Sequence, residues 1–161
     1  MPSKKPDGGI KILATNPNAR RNFHIHEVVE AGIALTGTEI KSLRAQAPNL
    51  KDSHVEVVDS NGTVEAWLVA THIAPYSHGN IWNHEPTRRR KLLLHRHQID
   101  KLFGAIIQKG MALVPTQIYL KQGRCKVELG LGKGKKSHDK RDTLKAKSSD
   151  REIAQAMKRS R

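Results

Sequence analysis

The chain has 161 residues, 29 of them Lys or Arg against 15 Asp or Glu, which gives a formal charge of +14 and a pI near 10.2. That length suits one compact domain with tails, and so large an excess of positive charge calls for a polyanion, of which nucleic acid is favoured by the release of condensed counterions. A membrane partner is not expected: no apolar run approaches a span, no basic amphipathic helix carries a large apolar face, and no apolar stretch follows the first lysines as a secretory leader requires.

In chain order, residues 1–15 are polar, hold Pro2 and Pro6, and read as a flexible arm; Pro17 follows it. Residues 23–35 predict a long strand, with Phe23, Ile25, Val29 and Ala31 on one face and His24, His26, Val28 and Glu30 on the other. Gly32 marks a candidate bend or bulge. Thr36 with Glu39 three positions on is a capping box. It opens a helix on which Ile40, Leu43 and Ala47 recur, with Lys41 and Arg44 on another face; Pro48 ends it. Residues 53–59 and 63–73 predict a hairpin about Ser60-Asn61-Gly62, because Asn and Gly both tolerate positive φ. Residues 75–86 predict a loop, and four basic residues from Arg88 to Lys91 precede three leucines. A second helix is predicted over 98–109, with Ile99, Leu102, Phe103 and Ile106 inward and Gly110 at its end. Two strands close the domain: Ala112, Val114, Thr116, Ile118 and Leu120 share one face of the first, and Cys125, Val127, Leu129 and Leu131 point inward from the second. Cys125, the only cysteine, reads as a small core residue, rules out an intramolecular disulfide, and fits a reducing cytoplasm.

Gly130, Gly132 and Gly134 alternate and suggest a hinge. Beyond it, residues 133–161 carry 11 Lys or Arg and four Asp or Glu, half of the net charge, and no aromatic residue. Such a segment buries too little to offset its ordering entropy, so it is expected to be disordered alone and helical on a partner. The predicted architecture is mainly β: a small antiparallel barrel of the OB class with two to three helices, spanning 16–132, then the tail.

Few residues suggest catalysis. The paired histidines His24/His26 and His95/His97 lie among bases that repel a cation, so metal binding is not expected. A general acid/base ribonuclease needs histidines that converge on a phosphate, which sequence does not establish. Lys133, Lys135 and Lys136 lie among glycines but lack the spacing of a phosphate-binding loop. Glu30 reads either as a salt-bridge partner or as an acceptor for RNA base amino groups and ribose hydroxyls. The six aromatic residues are scattered, which argues for recognition of folded RNA by shape.

Three stretches are more specific: EAGIALTGTEIKSLR at 30–44, RKLLL at 90–94 and GKGKKSHDKR at 132–141. Together with the intervening chain from about Asn16 to Met157 they resemble the bacterial SsrA-binding protein (small protein B, SmpB) family. The resemblance implies an OB-like barrel that binds the tRNA-like end of transfer-messenger RNA (tmRNA) and, with elongation factor Tu and alanyl-tmRNA, delivers it to stalled ribosomes for trans-translation. It implies no enzyme activity and no cofactor, and a monomer. By position, Asn16, Glu30, Leu93 and Lys126 match tmRNA-binding residues, and Lys41 and Arg44 join them on the basic face of the predicted helix. The tail residues Lys133, Lys135, Lys136, His138, Asp139, Lys140 and Arg141 match the segment that enters the decoding centre and message channel, with His138 as a stacker on a ribosomal base. Ala146-Lys147-Ser148-Ser149 departs from the family's alternating acids and bases, and its serines weaken a helix there. The rival readings are a general ribosomal-RNA binder, which needs only the charge, and a histidine ribonuclease.

Overall fold

The computed structural model describes residues 9–160. Strands β1 (Ile10–Thr15), β2 (Phe23–Ile33), β3 (His54–Ser60), β4 (Thr63–Val69), β5 (Arg90–Leu93), β6 (Ala112–Lys121) and β7 (Arg124–Gly134) form one antiparallel sheet in the order β1-β6-β7-β2-β5-β4-β3. The sheet curls until β3 lies close to β6, giving a partly open, OB-like barrel. Helices α1 (Pro17–Asn22), α2 (Gly37–Ala45), α3 (Arg96–Lys109) and α4 (Ser137–Arg159) complete the chain.

β2 is the strand on which the two halves of the sheet meet. It pairs with β7 from Phe23 opposite Gly134 to Gly32 opposite Lys126, and with β5 through Gly32 opposite Leu93 and Ile33 opposite Leu92. Its alternation places Ala31 and Ile33 in the interior, where they meet Leu68, Leu92, Leu102, Ile118, Val127 and Leu129. Each such aliphatic side chain contributes about 1.5–3 kcal/mol by leaving water. Leu102 brings α3 over this core; Phe103 is only half-buried.

Four expectations need correction. Residues 10–15 are not an arm: Ile10–Thr15 pair with β6 over Gln117 to Lys121, about 100 residues away. The rest of the predicted arm, residues 1–8, lies outside the described residues. The glycines are not a hinge, because β7 runs through all three. At Gly132 an added Cβ would sit 2.0 Å from the His24 carbonyl oxygen, so glycine there admits the backbone of β2. The bulge of β2 accordingly falls at His26, between Ile25 and Glu27, and not at Gly32. The even-numbered residues of β6 do not keep one face. Leu113 and Pro115 oppose Leu131 and Leu129, then a bulge at Thr116 shifts the register, and Ile118 and Leu120 take the inward side opposite Val127 and Cys125. The segment expected to be helical on a partner is helix α4 here, and it begins three residues after β7 ends; Lys133 therefore belongs to the barrel.

The basic run at 88–91 hides the least expected feature. Arg90 and Glu39 are both fully buried. Glu39 sits in the first turn of α2, where its Oε2 accepts the Thr36 N–H at 3.1 Å. Arg88 donates to both of its oxygens, at 2.6 and 3.0 Å, and Arg90 Nε donates to Oε1 at 3.1 Å. The remaining Arg90 nitrogens donate to the carbonyls of Thr71, at 2.9 Å, and Pro86, at 3.1 Å. Burial alone would push the Glu39 carboxyl up, but Arg88, the Thr36 amide and Arg90 more than offset it and hold it below the usual carboxylate range.

Glu39→Gln is expected to lower the unfolding free energy at pH 7 by about 3–5 kcal/mol, since it leaves two guanidiniums without their counter-charge; urea unfolding measures this. Because the folded-state value is depressed, this stabilisation is present above the ordinary glutamate pKa of about 4.3 and is lost as pH falls through the lower folded value. The variant should lack that component of the acid transition.

Candidate nucleic-acid interface

Residues directly opposite in an antiparallel pair share a face of the sheet. The register therefore sets Leu93, Gly32, Lys126 and Tyr119 in one outward row across β5, β2, β7 and β6, with Glu30 one outward position back along β2. An open groove of about 950 Å3 runs along this face, bounded by β2, β5, Lys126 and the start of α3. Gly32 is its floor, where a Cβ would come within 3.2 Å of Leu93 Cβ.

The groove is mixed in charge. Lys91 pairs with Glu65 at 3.1 Å and Lys101 with Glu27 at 2.7 Å. Lys126 makes no hydrogen bond or ion pair within contact distance among the described residues; Glu30 is the carboxylate that acts on it through space, so its ammonium is left to face the groove. Leu93 is 53% exposed and stands outside the core. Glu30 accepts a hydrogen bond from the Tyr119 hydroxyl and a longer one from Lys121 Nζ at 3.4 Å. The Tyr119 bond is the main cause that holds its carboxyl below the usual range; burial opposes it, and Lys121 and Lys126 add to it. The ion pair expected for Glu30 is thus made with a lysine, and a tyrosine does more.

The other expected contacts fall elsewhere. Asn16 is buried as the N-cap of α1: its side chain accepts from Asn18 N at 3.1 Å and donates to the Pro115 carbonyl at 2.9 Å, and its own amide donates to Thr116 O at 2.7 Å. Lys41 and Arg44 are exposed on α2, whose Ile40 and Leu43 line a second cavity sharing Gly32, Leu93 and Lys126 with the groove. Lys41 Nζ lies 5.8 Å from the centre of the Tyr76 ring. Burial pushes the Cys125 thiol, in the wall of that cavity, up to about 11, which keeps it an inert small side chain at neutral pH.

The tail leaves from the far end of β2. Lys135 N donates to Asn22 O at 2.7 Å and His24 lies 3.8 Å from Asp139. Phe23 and Gly32 are nine strand residues apart, so the row from Leu93 to Lys126 lies roughly 30 Å along β2 from the tail root, and the groove reaches back from it to Glu27. Along α4, His138 is 79% exposed, with ring nitrogens 3.1 Å from Asp139 and 3.3 Å from Asp142. Lys136 is the N-cap, and Lys140 and Arg141 lie in the first turns. Ser148 and Ser149 do not interrupt the helix.

The histidines do not assemble a metal centre among the described residues. His24 lies beside Asp139 at the root of the tail whereas His95 lines the groove, the His95 and His97 rings stack 5.7 Å apart, and no group of three potential ligands forms.

A curled seven-stranded sheet with an open, charged groove and a basic helix places the chain among the small OB-like barrel proteins, an architecture that commonly serves nucleic-acid binding. The family described as SmpB protein matches residues 13–159, and the chain belongs to that family. It is 52% identical to the SsrA-binding protein of Oceanobacillus iheyensis over 153 residues, 95% of this chain and 97% of the relative. It is 53% identical to the SsrA-binding protein of Streptococcus sanguinis over 151 residues, 94% of this chain and 95% of that one. A solved structure described as "tmRNA-SmpB: a journey to the center of the bacterial ribosome" is 44% identical, with a TM-score of 0.62, over 79% of this chain and 87% of that one.

Sequence reasoning passed over Tyr119, which the bulge at Thr116 turns to the outward face; only the long-range register reveals it. Because Leu93 is half exposed, Leu93→Ala should change the unfolding free energy by no more than about 0.5 kcal/mol. Its affinity for folded RNA should fall by several-fold at every salt concentration. Unfolding titrations paired with filter binding check both.

Proposed function

We propose that the chain binds the tRNA-like domain of tmRNA through the groove and brings it to stalled ribosomes for trans-translation, tagging the unfinished peptide. The observation that carries this is the joining of Glu30, Leu93 and Lys126 on one outward face by the sheet register, in a chain of the SmpB family. Lys126 meets a phosphate, Leu93 packs on a sugar or base, and Glu30 accepts a hydrogen bond that charge alone does not supply. Lys41 and Arg44 extend the positive surface toward α2, and Asn16 acts indirectly by holding α1 on β6.

The tail takes a separate task. Lys135, Lys136, His138, Asp139, Lys140 and Arg141 enter the vacant decoding site, with Lys133 at their root in β7, and α4 follows the message channel. The separation along β2 lets the barrel hold tmRNA while the tail reads the ribosome. Elongation factor Tu carrying alanyl-tmRNA is the third member of the complex, and the cytoplasm is where it assembles. In this role the chain binds and positions RNA; it performs no catalysis of its own.

The test is the affinity of wild type and Glu30→Gln for the tRNA-like domain and for an elongator tRNA across a salt series. Wild type should prefer the tRNA-like domain at every salt concentration. Glu30→Gln should lose about 1.5–3 kcal/mol of that preference, with the salt slope unchanged because no phosphate contact is lost. Equal affinity of wild type for both RNAs would support the general binder and sink this reading. A chain ending at residue 136 should keep the preference and lose peptide tagging.

A further inference from the structure

Glu30 and Tyr119 stand on strands separated by β7, yet their side chains meet. Tyr119 is 6% exposed, and its backbone is paired on both sides, with Ile12 on β1 and Lys126 on β7. Its hydroxyl therefore has little freedom and serves as a fixed donor. Both hydrogen bonds to Glu30, from Tyr119 and from Lys121, end on Oε2; among the described residues none ends on Oε1. A strand carboxylate otherwise turns freely about its last torsion. Anchoring one oxygen fixes where the other points.

The charges agree with that arrangement. Lys121 and Lys126 face the carboxylate from β6 and β7, and Glu128 adds negative charge near the Tyr119 hydroxyl. Burial first, then the Glu30 carboxylate, pushes the tyrosine hydroxyl well above its ordinary value, so it keeps its proton and donates at neutral pH. Glu30 stays ionised, as described above. The pair is thus an ionised acceptor with one oxygen held by a neutral donor.

We infer that Tyr119 is a positioning residue for RNA recognition: its hydroxyl holds Glu30 Oε2 so that Oε1 presents a single acceptor in the groove for one N–H or O–H donor of a folded RNA. The inference rests on the reading of the groove as the tmRNA site. A carboxylate held at one oxygen is poised for a single donor, such as an exocyclic amino group or a ribose 2′-hydroxyl, and less suited to the two-pronged grip on a guanine edge.

Tyr119→Phe keeps the ring and removes the hydroxyl. It should keep the wild-type far-ultraviolet circular dichroism and backbone amide resonance pattern away from the site. Its affinity for the tRNA-like domain should fall to the level of Glu30→Gln, roughly ten- to a hundredfold below wild type, with the same salt slope, and the double variant should lose nothing more. A merely structural tie between β6 and β2 predicts lower unfolding stability with affinity intact, or losses that add in the double variant; either result overturns the inference. If Glu30→Gln itself binds like wild type, the groove reading fails, a distinct outcome from a silent Tyr119→Phe beside an impaired Glu30→Gln. RNA with 2′-fluoro in place of 2′-hydroxyl separates the two donors: a retained Glu30 effect assigns a base amino group, a vanished one the ribose.

Discussion

A single buried carboxylate organises one end of this barrel. Glu39 belongs to α2 by its cap, yet its two oxygens are held by Arg88 and Arg90, which lead into β5. Arg90 passes the constraint on to the chain after β4 and before β5 by donating to Thr71 and Pro86 carbonyls. Three stretches far apart in sequence are thus bound at one point. A buried charge is tolerated only when paired and fully hydrogen-bonded, and among the described residues no buried side-chain polar atom lacks a partner. The consequence for function is positional. β5 contributes only two register pairs to β2, so its placement, and with it Leu93 in the groove, leans on this network.

From that fixed end the groove follows by register. Gly32 is paired on both sides and has no side chain, so the row from Leu93 to Lys126 is open across its middle. The charge of the chain is spread widely, but the groove is not merely positive: Glu27, Glu30 and Glu65 share it with Lys91, Arg96 and Lys126. Uniform charge gives attraction without choice. In the proposed function an ionised acceptor beside a lysine and an exposed leucine supplies the choice between one folded RNA and another. The basic helix stands at the other end of β2, which on the same proposal divides attraction to the ribosome from selection of the RNA.

Local chemistry was readable in the sequence. Asn61 and Gly62 take positive φ in the β3–β4 turn, Gly110 ends α3 in the left-handed region, and Thr36 with Glu39 opens α2. Long-range pairing was not. β1 looks like a polar arm until β6 supplies its partner, and Gly130, Gly132 and Gly134 look like a hinge until β2 approaches them. Arg90 looks like part of a solvated basic run because nothing local announces Glu39 as its partner. Glu30, Leu93 and Lys126 were named from a resemblance; that they share one face depends on two registers that no local pattern encodes. Tyr119 needed a third, with its bulge.

If RNA is selected on the outward face of β2, β5 and β7, its binding is felt there first. The most direct measurement is a titration of the isotopically labelled chain with the tRNA-like domain, followed through its backbone amide resonances. The largest shifts should cluster at residues 28–32, 91–96 and 126–128, with the β3–β4 hairpin unmoved. Shifts confined to α4, or spread evenly over every basic surface, would contradict selection on that face and leave charge as the sole basis of binding.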